Sequence, residues 1–359
     1  MSGKRYLAPW RRSAAAAREV APGRDGREML AALEGKPALY HCVSRAVWRE
    51  MVFGADEKEM FAALLRKWEA FSQVRVLTFC VMTNHFHVLV EVPERPEHDP
   101  TDAELLEHLG LIYKGQRLAE IRWELEHYRA QRNHAAAEAL RQRFLRRMWN
   151  LSVFMKALKQ DFTIWWNKRH GKKGNLWEER FKSVLVEDGH AARVVAAYID
   201  LNPVRAGIVE VPDDYRWSGW GEAVRGKRRA RQGIRQVVIE RELARSSPEV
   251  AVAQVAEWRM VAETYRGLLA DDSGREAGAG LAARRTPDGP RRMAEADLLR
   301  CRVRYFVDGM VVGSQSFVDG VFDLTRGWFG AKRRSGGRRL AQADTSLRAM
   351  RALRVAPYG

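Results

Sequence analysis

Apolar and polar positions along the chain change period several times, and each change predicts an element. Leu39 to Val47 is rich in β-formers and reads as a strand that starts near Ala38. From Ala55 to Phe71, Met60, Leu64, Trp68 and Phe71 recur at helical spacing, with acids in the first turn where the helix dipole favours them. Val74–Met82 and His85–Val92 are β runs separated only by Thr83 and Asn84, the spacing of a hairpin. Pro93 to Pro100 reads as a linker, and about 101–149 as one or two charged, solvent-facing helices. Leu151 to His170, carrying Val153, Phe154, Leu158, Phe162, Trp165 and Trp166, is a helix closed by Gly171 and the following lysines. A short strand, Phe181–Glu187, leads to the helix Gly189–Leu201, which Asn202-Pro203 should end because the residue before proline is pushed out of the α region. The order β-α-β-β-insert-α-β-α predicts an α+β domain with helices on one face of a sheet.

The pattern weakens on either side of that domain. Residues 1–36 are rich in Ala, Arg and Gly with few apolar anchors, and are expected to form a basic flexible arm. The main domain then runs over 37–222 with a helical insert at 95–149. A basic and helical linker region follows at 223–291, with a helix near 248–270. A small basic C-terminal α/β unit occupies 292–359, with Val303–Gly313 and the run Lys332–Arg339 as its features.

Composition narrows the functional classes. The 62 Lys and Arg against 45 Asp and Glu leave a net charge of +17, which favours a polyanionic partner because each cation that neutralises a phosphate releases a condensed counterion. The competing reading is an Arg-rich surface that is merely solvated. With 46% hydrophobic residues and 12 tryptophans the chain can bury a substantial core. No run approaches 18 uninterrupted apolar residues and the first ten contain no signal-like apolar stretch, so a cytoplasmic chain without a membrane span is expected. Cys42, Cys80 and Cys301 show no CxxC spacing, which argues against a disulfide framework or a cysteine zinc site and for reduced, buried thiols.

Two pairs of residues could carry chemistry. His85 and His87 stand at i and i+2 on a strand, so their side chains leave one face about 7 Å apart at the backbone and could share a metal ion. Phe86 and Val88 would then point into the core and hold the strand rigid. Two ordinary strand histidines are the alternative. Tyr198 and Asn202 stand at i and i+4, so they share a helix face and could place a nucleophile beside a carboxamide ligand. A free phenol, with a pKa near 10, attacks poorly unless a metal-polarised electrophile, a cation or a base assists it. The plainer reading is a core tyrosine with Asn202 as a helix cap.

Met82-Thr-Asn-His-Phe-His-Val-Leu-Val-Glu91 together with Tyr198-Ile-Asp-Leu-Asn-Pro-Val-Arg-Ala-Gly207 resembles the REP-associated tyrosine transposases, a branch of the single-tyrosine HUH transposases related to the IS200-like family. Tyr40–Arg45, Asn167–Gly171, Gly174–Ser183 and Asp214–Ser218 fit the same resemblance, which spans about 38–220. It implies a ferredoxin-like fold, metal-binding His85 and His87, the nucleophile Tyr198, and Asn202 completing the coordination of Mg²⁺ or Mn²⁺. Related transposases often have Gln where this chain has the shorter Asn202. The implied activity is metal-dependent nicking and strand transfer of single-stranded or hairpin DNA through a 5′-phosphotyrosine intermediate. No nucleotide cofactor is expected, since no GxxxxGK[ST] motif occurs.

Lys168, Arg169, Lys172, Lys173, Arg180, Lys182 and Arg205 are candidate phosphate contacts, with Trp177 or Trp166 as a stacking surface for an unpaired base. For the tryptophans a core position is the competing reading. The localisation expected is cytoplasmic and nucleoid-associated, and a homodimer is left open. Two further readings stand beside the enzyme: a domesticated nucleic-acid-binding protein of the same fold without cleavage, and a zinc-stabilised module that would need His41 as a further ligand.

Overall fold

The structure is a computed structural model. It describes Ala8, residues 33–47, 50–239 and 258–270, and then 285–286, 289–290, 293–294, 299, 302–303, 305–329, 332–339, 343–350 and 355–356. The expected basic arm therefore lies almost wholly outside the described residues, as does Cys301; Cys42 and Cys80 are buried free thiols.

The first strand β1 (Ala38–Arg45) is followed by helix α1 (Ala55–Ser72) and the hairpin β2 (Arg75–Val81) and β3 (His85–Val92). Three insert helices come next: α2 (Asp102–Gly110), α3 (Gln116–Ala130) and α4 (His134–Leu145). Helix α5 (Leu151–His170), strand β4 (Lys182–Val186) and helix α6 (His190–Asp200) complete the unit, and the short α7 (Asn202–Arg205) continues directly from α6. In space these four strands lie in the order β4-β1-β3-β2, all antiparallel, which is the βαββαβ arrangement of a ferredoxin-like sheet.

The helix spacing read from the sequence is correct for α1 in extent but not in face. Phe61, Leu65, Trp68 and Phe71 are buried, whereas Met60 and Leu64 are only half-buried. The insert holds three helices rather than one or two, and it is not merely solvent-facing. Leu105, Leu109, Ile121, Leu125, Leu140 and Phe144 join the core beneath α1 and α5.

Helices cover both faces of the sheet, not one. Tyr40, Cys42, Phe86, Val88 and Val90 pack toward α1 and α5, while Leu39, Leu89, Val184 and Val186 pack toward α6. The reason is visible in β3, where every residue after His85 is buried, so each parity of the strand needs its own cover. A register shift between Val76 and Thr78 turns Leu77 and Thr78 both toward the α6 side, while Phe79 returns to the α1 side.

That second layer uses residues expected to be linker. Helices α8 (Gly219–Val224), α9 (Arg228–Val238) and α10 (Trp258–Leu269) bury Trp220, Ile234, Val237, Val261 and Tyr265 in one cluster with α6. The Arg-rich composition of 224–233 hides this because its small residues, Ala230 and Gly233, make the contact. The C-terminal unit likewise extends the sheet instead of standing apart. After α11 (Tyr305–Asp308), β5 (Val311–Gly313) pairs parallel with β4; beyond α12 (Gln315–Leu324), β6 (Arg338–Arg339) and β7 (Arg348–Ala349) complete the order β6-β7-β5-β4-β1-β3-β2. Among the described residues no helix is long and apolar enough to cross a membrane.

Candidate active site

Strand parity builds the site. His87 is in register with Val43 of β1, which in turn is in register with Lys182 of β4, and His85 is in register with Arg45. Residues paired across an antiparallel ladder share a face, so His85, His87, Arg45 and Lys182 all leave the sheet on the side that α6 covers. Phe86, between the two histidines, is buried among Phe61 and Trp177 on the opposite face and anchors the strand there.

The rings of His85 and His87 are 5.0 Å apart. Tyr198, projecting from α6, lies with its ring 6.2 Å from His87 and 6.4 Å from His41. The structure thus brings the two histidines and the tyrosine together from segments more than one hundred residues apart. Tyr198 is only 2% exposed, with Phe306 of α11 packed at 4.8 Å and the Arg205 guanidinium 4.0 Å over its ring.

Asn202 is buried one turn beyond Tyr198. Its side-chain amide nitrogen donates to the carbonyls of Tyr198 and Ile199, at 3.2 and 3.1 Å, which leaves the amide oxygen as its other polar end. Helix α6 ends at Asp200 with Leu201 as its cap, as expected ahead of Asn202-Pro203, and Pro203 sits in the first turn of the short α7, where a missing N–H costs nothing. Asp200, also buried, accepts from the Thr78 and Tyr265 hydroxyls and from the Trp220 N–H. These contacts tie α6 to β2, α10 and α8. Burial pushes the Asp200 carboxyl up to about 6, against the lowering effect of those hydrogen bonds.

Burial also sets the charge state of the imidazoles. It lowers His87 well below the usual histidine range, and the neighbouring His85, His41, Arg205 and Arg45 add to the effect. Burial brings His41 down to about 4, partly offset by its bond to the Phe306 carbonyl. Both rings are therefore neutral at neutral pH, the state in which an imidazole offers a lone pair to a metal.

The donor set fits a divalent ion. The Nδ1 of His85 is 2.7 Å from the Asn84 side-chain oxygen, and the Nδ1 of His87 is 2.9 Å from His41. Nε2 is thus the atom through which either ring of the pair would take an ion, and the amide oxygen of Asn202, one turn beyond Tyr198, is a ligand of the right chemistry. Among the described residues no group of three or more His, Cys, Asp or Glu side chains is arranged to hold a metal. His41 does not serve a zinc site, since its Nδ1 meets the Phe306 carbonyl at 2.6 Å and its Nε2 meets His87.

The candidate DNA contacts divide into distinct groups. Lys168, Lys172, Lys173 and Arg180 are exposed around the end of α5 and the loop after it. Arg169 is exposed but paired with Asp56 at 2.5 Å. Lys182 is exposed on the site face and bonded to Asp308 at 2.8 Å. Arg205 points inward, donating to the carbonyls of Tyr198 and Leu299 at 2.6 and 2.7 Å, so here it holds the helix of Tyr198 rather than a phosphate. Trp177 is no stacking surface: it is 4% exposed, wedged among Phe53, Phe86 and Phe162, with its indole N–H bonded to Thr163. Trp166 is half-buried, donates to the Val52 carbonyl and stacks on His170. The sequence reading assigned nothing to Arg45 or Phe306. Arg45 was open to discovery, since it shares parity with His41 on a strand paired in register with His85; Phe306 was not, because nothing local marks it.

Comparison with known proteins places these features. Residues 36–101, which contain β1, α1, β2 and the histidine strand, match the family model described as Transposase IS200 like. The resemblance to the IS200-like transposases holds. No curated protein matches the chain. A solved REP-associated tyrosine transposase bound to a REP hairpin is 15% identical, covering 53% of this chain and 79% of its own, at a TM-score of 0.33. The family segment thus ends before the helix that carries Tyr198, and the second half of the site rests on geometry and on the motif around Tyr198.

Proposed function

We infer that the chain is a metal-dependent, single-tyrosine DNA nicking and strand-transfer enzyme acting on single-stranded, hairpin-forming DNA. The observation that carries this reading is the convergence of Tyr198 on the neutral His87 ring, with His85 5.0 Å from it on the same face of the sheet. His85, His87 and the Asn202 amide oxygen would hold Mn²⁺ or Mg²⁺. When bound, that ion supplies Lewis-acid polarisation of the scissile phosphate and neutralises charge that develops on it. Tyr198 is the nucleophile: its phenolic oxygen forms the bond to phosphorus and gives up its proton, while the bond to the 3′ oxygen breaks and that oxygen leaves as a hydroxyl. Because one phosphodiester replaces another, a second 3′-hydroxyl can reverse the step without an energy source. Arg45 and Arg205 act as positive charges on His87, on the face where phosphate charge would lie, and Arg205 also fixes the end of α6.

The test is an end-labelled hairpin with a single-stranded flank, incubated with protein and Mn²⁺ and resolved on a denaturing gel. A protein-linked band is expected, lost in Tyr198→Phe and on addition of EDTA. Tyr198→Phe keeps the ring that packs on Phe306 and Arg205, so the variant should fold and still bind the hairpin. A second reading, a hairpin-binding protein without cleavage, is favoured by one observation, the burial of Tyr198 beneath Phe306. Tight hairpin binding with no adduct in Mn²⁺ or Mg²⁺ would establish that reading instead.

A further inference from the structure

We propose that His41 is a positioning residue that fixes the tautomer of His87 and so selects the nitrogen offered to the metal. The proposal rests on the metal-site reading above and adds to it the device that orients one ligand.

The Phe306 backbone carbonyl can only accept, and the Nδ1 of His41 lies 2.6 Å from it. His41 must therefore carry its proton on Nδ1. A neutral imidazole has one N–H, so the Nε2 of His41 is an acceptor. That Nε2 lies 2.9 Å from the Nδ1 of His87. The only hydrogen bond this contact permits is one donated by His87, which places its proton on Nδ1 and its lone pair on Nε2. One main-chain carbonyl thus sets the polarity of two rings in series.

The placement of His41 supports the assignment. It is fully buried on β1, two residues along the strand from Val43, the register partner of His87, so the two rings are diagonal neighbours on one face. They stack with centroids 5.1 Å apart and planes inclined by 22°, which restricts rotation of His87 about its own axis. Its neighbours on that face of the sheet, Leu39, Val43, Leu89 and Val184, are apolar, and the cost of burying a polar ring among them is offset only because both of its nitrogens are bonded, to Phe306 and to His87. Metal-ligating histidines characteristically donate their second nitrogen to a protein acceptor, and loss of that acceptor weakens metal binding by about 10–100-fold. Here the acceptor is a second imidazole.

The experiment uses the full chain in three forms: unmodified, His41→Phe and His41→Gln. Phe fills the ring's volume but offers no acceptor, and Gln offers a carbonyl oxygen near the position of Nε2. Mn²⁺ binding is measured by calorimetry or by the loss of the free-ion electron paramagnetic resonance signal, without DNA. Hairpin binding in EDTA, which needs no metal, reports whether each variant is folded. His41→Phe should weaken Mn²⁺ binding by about 10–100-fold with unchanged metal-free hairpin binding, and His41→Gln should recover most of the loss. Independently, ¹⁵N-histidine spectra of the unmodified chain, with the His87 signals identified by their absence in His87→Gln, should show the proton on Nδ1.

A His87 proton found on Nε2, or Mn²⁺ affinity unchanged in a folded His41→Phe, would overturn the proposal while leaving the metal site intact. If the unmodified chain bound no Mn²⁺, the metal-site reading would fall and the proposal with it. The two failures are therefore separable.

Discussion

Two residues after Tyr198, the Asp200 carboxylate gathers donors from three other elements: the Thr78 hydroxyl at 2.8 Å, the Tyr265 hydroxyl at 2.7 Å and the Trp220 N–H at 3.1 Å. Removing it leaves those buried donors without an acceptor, and each such orphan costs about 1–3 kcal/mol. Asp200→Ala should therefore lower unfolding stability by on the order of 3 kcal/mol or more, read as a shift in the urea midpoint without a change in slope. A loss below about 0.5 kcal/mol, the scale of a neutral surface change, would show that the network does not hold α6 in place. At this scale the sequence is uneven as a guide. The His85/His87 pair and Tyr198 stand out because their spacing has a meaning on a strand or a helix. Trp177 does not disclose its burial, since it follows a glycine-rich polar loop and only the tertiary fold wedges it against Phe53 and Phe162. Arg205 looks like a phosphate contact in a strongly basic chain, yet it spends two of its nitrogens on main-chain carbonyls.

At the scale of elements, local period carried the hairpin, α5 and β4 almost to their observed ends, because each is bounded by turn residues or by a positive-φ glycine such as Gly171. What period could not show is which elements share a layer. Helix α9 was hidden by its arginines, and it lies against β2 so closely that a Cβ on Gly233 would come within 2.4 Å of the Leu77 carbonyl oxygen and 2.7 Å of that of Val76. Gly233→Ala must push the helix off the strand, since the obstructing atoms are main chain and cannot rotate away. The expected cost is about 1–3 kcal/mol, despite the higher helix propensity of alanine, and thermal unfolding would register it as a drop of several degrees. A rise in midpoint temperature, the usual result of Gly→Ala within a helix, would mean that α9 does not pack as described. The same closeness explains why the stretch does not behave as the linker its composition suggests.

For the whole molecule, the excess of 17 positive charges predicts hairpin binding that weakens steeply with salt. Lys172 and Lys173 are exposed beyond the end of α5, and replacing both with alanine should reduce the slope of log Kd against log salt by about 1–2 and weaken binding similarly across hairpin sequences. An unchanged slope would place the DNA elsewhere on the surface.

The single sheet running from β2 to β6 also couples the histidine strands to the C-terminal unit, and one carboxylate stands at the join. Glu187, just past β4, accepts from the Ser314 N–H and hydroxyl at the start of α12, and burial raises its pKa above the ordinary glutamate value in spite of those two bonds. A carboxyl whose folded pKa lies above its unfolded one binds its proton more tightly in the native state. Its contribution to stability is therefore complete below the unfolded value, near 4.3, and is lost as pH rises through the raised folded value. Glu187→Gln cannot titrate and serves as the reference. As pH is raised from about 4 toward 7, the midpoint temperature of the unmodified chain should fall relative to that of Glu187→Gln, with the change complete once the folded carboxyl is ionised. A constant difference between the two proteins across that range would mean that the carboxyl titrates alike in the folded and unfolded chains, and that the junction between β4 and α12 does not bury it.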